Sequence, residues 1–145
     1  MKGLLVDSNI LLDLFEDDPV WGQWSETMLD HYSATHILYI NPVIYAEVSV
    51  GFQRIEEMEA AVAACDVQML QIPKEALFLA AKVFVEYRRH KGVKTSPLPD
   101  FFIGAHAAEE KLELLTRYLS RYKSYFPTVK LISLEGFPPD ASPLL

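Results

Sequence analysis

Short apolar runs alternate along this chain with longer stretches in which large apolar side chains return every three or four residues. The runs are Gly3 to Val6, Ile37 to Ile40, Val67 to Ile72, Glu113 to Leu115 and Val129 to Ile132, each short enough for a strand. Between them Trp21, Trp24, Met28 and Tyr32 recur at helical spacing, and Leu77, Ala80, Ala81, Phe84 and Tyr87 fall on one face of a longer helix. Alternation of this kind predicts an α/β fold around a central, mostly parallel sheet of about five short strands.

Punctuation between the runs sets the element ends. Asp18-Pro19 and Asn41-Pro42 each read as a cap followed by proline at the first helical position. The long helix starts at Lys74 and should stop at Gly92, and Thr95-Ser96-Pro97-Leu98-Pro99 reads as a rigid loop. Asp100 then opens a further helix through Phe101, Ile103, Gly104 and Ala107, where an early-turn anion favours the helix dipole. The proline-rich tail, from about residue 136 to 145, predicts a peripheral surface segment of a single domain spanning 1–145.

Composition narrows the function classes. At 145 residues and 50% hydrophobic content the chain has material for one packed core. The lone Cys65 excludes an internal disulfide framework, reads as a small core residue and points to a reducing compartment. The run Leu4-Leu5-Val6 is cut off by Asp7 too early for a signal peptide, and no other stretch approaches a membrane span; a soluble, cytoplasmic protein is expected. A net charge of −7 argues against a general nucleic-acid coat, so any RNA contact must be local. Two basic clusters offer one: Arg88, Arg89, Lys91 and Lys94 before the Asp100 segment, and Arg117, Arg121 and Lys123 near the fourth strand. Cations at helix ends are the plainer account of the first cluster.

In open parallel sheets ligands bind beyond the carboxyl ends of the strands. Asp7 sits at such an exit, Glu47 within the helix after the second strand, and Asp100 at the start of the helix leading into the fourth. Carboxylates drawn from separate elements suit a divalent ion, because Mg²⁺ prefers hard oxygen ligands and bridges to phosphates. Each acid alone has a duller account as a cap, a first-turn anion or an exposed helix residue. Asp7 is the hardest to dismiss, since it directly follows a buried strand where an uncompensated charge is costly.

The segments Val6-Asp7-Ser8-Asn9-Ile10-Leu11-Leu12, Asn41-Pro42-Val43-Ile44-Tyr45-Ala46-Glu47, Leu98-Pro99-Asp100-Phe101-Phe102-Ile103-Gly104-Ala105-His106-Ala107 and Leu114-Leu115-Thr116-Arg117, in this order, resemble PIN-domain ribonucleases of the VapC toxin type. The likeness runs from about Leu4 to Ile132. It implies a PIN-like three-layer fold, a Mg²⁺- or Mn²⁺-dependent endoribonuclease site on Asp7, Glu47 and Asp100, an RNA substrate, a cognate antitoxin and a homodimer. The family's last motif continues from Thr-Arg into an Asp, whereas this chain reads Thr116-Arg117-Tyr118, and Arg121 supplies no acid further on. A phenol with a reference pKa of about 10 stays neutral at pH 7 and presents one weak acceptor. The expectation is therefore a weakened site, losing a second metal first and keeping one on Asp7 and Asp100.

Resemblance also places Asn9 and Thr116 at the site's periphery, where they would orient a ligand or water. His106 reads as a packed structural histidine, and Asp13, Glu109 and Glu110 as residues of solvated helix faces. Trp21, Trp24, Tyr45, Phe15 and Phe52 are candidates for a self- or antitoxin-binding surface, with plain core packing the competing account. A haloacid-dehalogenase-type phosphatase fails at Asn9, because an amide cannot serve as the general acid needed two residues after the nucleophile. A receiver-type phosphoacceptor fails because Ile72-Pro73-Lys74 ends the third strand without an Asp. The rival from another class is a non-catalytic PIN-like module that binds antitoxin or RNA.

Overall fold

The computed structural model describes residues 1–90 and 98–133. Five strands, β1 (Lys2–Val6), β2 (His36–Ile40), β3 (Gln68–Met69), β4 (Glu113–Leu115) and β5 (Leu131–Ile132), form one sheet in the order β3-β2-β1-β4-β5, with every pairing parallel. Six helices surround it: α1 (Ser8–Phe15), α2 (Gly22–Ser33), α3 (Pro42–Ser49), α4 (Ile55–Ala64), α5 (Lys74–Arg89) and α6 (Leu98–Glu109). The chain leaves β1 to build one half of the sheet and returns on β1's other side as β4. The strand order thus reverses at β1, where a ligand crevice is expected beyond the carboxyl ends.

The apolar runs form strands for the reason their sequence suggests. Leu4, Leu5 and Val6 are fully buried, as are Leu114 and Leu115, because helices cover both faces of the sheet. Ile10, Leu11, Trp24, Met28, Ile44 and Ile103 fill the layers on either side. Asn41 caps α3 by accepting the Ile44 N–H at 2.9 Å, with Pro42 following as the sequence implied. In α6, Gly104 lies so close to the Phe126 ring that an added Cβ would sit 2.3 Å from it. Its missing side chain lets the segment before β5 pack onto the helix that carries Asp100.

Several element expectations are corrected. Val67 to Ile72 shrinks to the two residues of β3, paired at the edge to Tyr39 and Ile40, and β5 begins only at Leu131. The Asp18 carboxylate accepts from the Val20 and Trp21 N–H groups, so it organises a turn, and α2 starts at Gly22. On α5 the buried residues are Ala76, Ala80 and Tyr87, with Leu79, Val83 and Phe84 partly buried; Leu77 and Ala81 face outward. The inward stripe is thus turned from the one expected. Leu98 and Pro99 belong to the first turn of α6. The expected stop at Gly92, the rest of that loop, Lys91, Lys94 and the tail lie outside the described residues.

Candidate active site

Because β1 and β4 are parallel neighbours with Val6 opposite Leu115, the next residues, Asp7 and Thr116, emerge side by side. The Asp7 N–H extends the ladder to the Leu115 carbonyl at 3.0 Å, and the Thr116 N–H reaches Ile132 at 3.0 Å. Both side chains are buried. Asp7 Oδ1 accepts the Ser8 N–H at 2.8 Å, which makes Asp7 the cap of α1 as well as a site candidate. Its Oδ2 accepts two hydroxyls, Thr116 at 2.9 Å and Tyr122 at 2.7 Å. Burial outweighs these bonds and pushes the Asp7 pKa upward.

Asn9, in the first turn of α1, fastens this arrangement. Its amide nitrogen donates to Thr116 Oγ1 at 3.3 Å and its oxygen accepts the Arg117 N–H at 3.1 Å. Thr116 Oγ1 further accepts the Tyr118 N–H at 3.1 Å. Asn9 and Thr116 therefore act on the geometry of Asp7.

Glu47 arrives from α3 and Asp100 from α6, and Asn41 ties the two helices together. With its oxygen committed to the Ile44 N–H, the Asn41 amide nitrogen donates to His106 Nδ1 at 3.1 Å, leaving the ring proton on Nε2. His106 is fully buried and its pKa is lowered by that burial, so the expected structural, neutral histidine is what the fold contains. Glu47 Oε1 accepts the Ser8 hydroxyl at 2.8 Å. Its carboxyl is pushed upward, by desolvation first and then by the charge of Asp7. Asp100 is buried, and burial together with the charges of Asp7 and Glu47 raises it from the usual 3.8 to about 7, against the opposing pull of Arg121.

The fold thus brings the three acids near enough that the charge of Asp7 acts on Glu47 and those of Asp7 and Glu47 act on Asp100. Asp100 Oδ2 is buried without a hydrogen-bond partner. Among the described residues no group of three or more His, Cys, Asp or Glu side chains is gathered tightly enough to hold an ion by itself. A closed cage of acids is not formed. An ion that keeps most of its waters and takes only one or two carboxylates, as Mg²⁺ does, fits Asp7 and the unpartnered oxygen of Asp100.

The segment after β4 departs furthest from expectation. Tyr118 does not fill the place of a fourth acid; its ring lies against two guanidinium groups, Arg121 at 4.1 Å and Arg117 at 5.0 Å from its centre. Tyr122, which the sequence reading missed, reaches the acids instead. It is fully buried, and desolvation together with the carboxylates of Asp7, Asp100 and Glu47 holds its phenol well above the usual range. The available signal was spacing: Tyr122 and Phe126 stand one helical turn apart and both face inward.

Arg117 is corrected as an RNA-binding candidate and Asp13 as a solvated residue. They form a two-pronged ion pair at 2.7 and 2.8 Å, and the Ser25 hydroxyl also donates to Asp13. Arg88 and Arg89 are exposed in the last turn of α5, Arg88 over the Phe84 ring and Arg89 near Glu86. Glu109 and Glu110 are exposed as expected. None of the five aromatics offered as a binding surface is exposed: Trp24 is fully buried, and Trp21, Tyr45, Phe15 and Phe52 pack partly buried against the core.

Residues 4–117 match the PIN domain family model. The chain belongs to the PIN-domain family. Members of this family are in general nucleases. No curated protein matches this PIN domain. Solved structures share its fold. A chain of VapBC2 from Rickettsia felis bound to a promoter DNA fragment has a TM-score of 0.70 at 16% identity, covering 90% of this chain and 97% of that one. DNA-bound VapBC from Salmonella typhimurium gives 0.68 at 18% identity, with 92% and 98% covered. VapBC-1 from nontypeable Haemophilus influenzae gives 0.69 at 17% identity, with 90% and 96% covered.

Proposed function

We propose that this PIN domain is a metal-dependent endoribonuclease toxin of a toxin–antitoxin pair, weakened by the residue at position 118. The observation that carries the reading is the meeting of Asp7, Glu47 and Asp100 at the carboxyl end of β1, with one buried oxygen of Asp100 unpartnered. Asp7 and Asp100 would hold a Mg²⁺ or Mn²⁺ ion. When bound, the ion supplies positive charge beside the scissile phosphate and an activated water for in-line displacement.

The chain's own residues do the rest. Thr116 and Tyr122 hold Asp7 Oδ2 with two hydroxyls and so fix the carboxylate's orientation. Glu47, half-buried and steadied by Ser8, is the acid placed to take a proton from the attacking water or to add a ligand oxygen. Arg121, and from the end of α5 Arg88 and Arg89, are the described cations available to RNA phosphates, with Lys94 a further candidate by sequence.

The structures similar to this chain are of VapBC toxin–antitoxin complexes, and an antitoxin partner is carried over on that basis. A groove of about 570 Å³ between α1, α2 and α4, lined by Leu14, Phe15, Leu29 and Leu38 together with Glu26, Asp30 and Asp66, is a candidate seat for that partner. A homodimer and a cytoplasmic location remain part of the same reading. No helix among the described residues is long and apolar enough to cross a membrane.

A second reading, a non-catalytic module that binds antitoxin or RNA, draws on Tyr118 and on the cation beside Asp100. Cleavage of RNA with Mg²⁺ or Mn²⁺ by this chain and by Tyr118→Asp separates the two. Weak cleavage that rises on substitution, and that Asp7→Asn in the restored protein abolishes, supports the nuclease. No cleavage by either protein supports the binding module. Equal cleavage under limiting metal shows that the fourth position is dispensable.

A further inference from the structure

Arg121 faces Asp100 Oδ2, a buried carboxylate oxygen that no hydrogen bond among the described residues satisfies. Its Nε lies 3.8 Å from Asp100 Oδ2, beyond hydrogen-bond distance, so attraction between the charges holds the pair without a formed bond. The same cation also pulls on Glu47. Its guanidinium is stacked 4.1 Å from the centre of the Tyr118 ring, and its side chain stays 41% exposed. Arg117, on the same ring, cannot act here because both prongs are bonded to Asp13.

Burial first, and then the charge of Asp7 on Glu47 and of Asp7 and Glu47 on Asp100, disfavours three ionised acids side by side without an ion. The Arg121 guanidinium, braced on an aromatic face, relieves this repulsion. We propose that Arg121, braced on the Tyr118 ring, is an internal latch on the candidate active site. It offsets the charge of Asp100 and Glu47 in the ion-free protein and must swing away before a divalent cation can use Asp100 Oδ2. The inference rests on the metal-site reading above. It gives Tyr118 a second effect: besides lacking a carboxylate, it supplies the surface that keeps Arg121 in place. The latch is loose, because it has an exposed side chain and no hydrogen bond to Asp100 to break.

The test is calorimetric titration of Mn²⁺, without RNA, into the full chain, Arg121→Gln and Tyr118→Leu, with melting temperatures recorded in parallel. Removing the competing charge should tighten Mn²⁺ binding roughly tenfold in Arg121→Gln, the scale of one partly exposed charge pair at this separation. Tyr118→Leu, which removes only the brace, should tighten it about threefold, a cation–π contact of ordinary strength. Ion-free Arg121→Gln should also melt lower than the unaltered chain and gain more on adding Mn²⁺. Equal affinity in the chain and Arg121→Gln overturns the latch and leaves the metal site standing. Absence of binding in all three proteins overturns the metal-site reading and the latch with it. If Arg121→Gln fails to fold, Tyr118→Leu decides: unchanged affinity there overturns the latch.

Discussion

Arg117 and Arg121, four residues apart in the segment after β4, each face an aspartate, and the two pairs differ in what decides an ion pair's role. Arg117 grips Asp13 through two short bonds, with side chains 15% and 6% exposed, and Ser25 completes the carboxylate's shell. Arg121 stands 3.8 Å from Asp100 and leaves Oδ2 without a hydrogen bond. The first pair is saturated, so its effect is to bind the β4 exit to α1 and hold Thr116 against Asp7. The second is unsaturated, so Asp100 keeps the capacity to bind something else. Among the described residues three buried side-chain atoms lack a hydrogen-bond partner, Trp24 Nε1, His106 Nε2 and Asp100 Oδ2, and of these only Asp100 Oδ2 is a carboxylate oxygen able to accept a cation.

The largest effect expected from this contrast is on stability. Asp13→Ala strands a half-buried guanidinium and should cost about 3–5 kcal/mol in urea unfolding. Asp100→Asn should leave the ion-free protein as stable or make it more stable at about pH 8, because it removes a buried charge that other acids repel. Comparable losses in the two variants would erase the distinction between the pairs. Tyr122→Phe comes next. It takes one hydroxyl from Asp7 and should lower stability by about 1.5–3 kcal/mol, the usual range for a hydrogen bond to a charged group.

The most gradual effect is a slope with pH. Asp100 is raised from 3.8 to about 7 in the fold, so between those values the folded state binds a proton that the unfolded state has released. Its contribution to stability is therefore present below about pH 4 and is lost as pH rises to about 7. Asp7 and Glu47 are shifted in the same direction. Melting curves of the ion-free protein should fall across this window, and Asp100→Asn should flatten the fall. A slope unchanged by that substitution would assign it to other groups.

Much of the architecture was legible because its causes are local. A continuous apolar run such as Leu4 to Val6 can only be a strand buried on both faces, and Asn41-Pro42 fixes a helix start through its own side chain. The acids were legible from order and element type, since strand exits and the helices beside them converge in a parallel sheet. Contacts set by distant packing were not legible. Asp13 looked solvated because nothing in its helix reveals that Arg117, 104 positions away, bonds to it. Tyr122 went unnoticed because its spacing from Phe126 does not reveal where its hydroxyl ends. The outward turn of Leu77 and Ala81 reflects where α6 packs against α5, which the periodicity of α5 alone does not specify.

We infer that Asp7, Glu47 and Asp100 act together as a divalent-ion site while Asp13, as buried as Asp7 and Asp100, does not. Titrating Mn²⁺ at about pH 8 into the unaltered protein and into Asp100→Asn tests it most directly. Mn²⁺ should bind saturably to the first and not at all to the second; binding of equal strength to both would show that Asp100 is no part of an ion site.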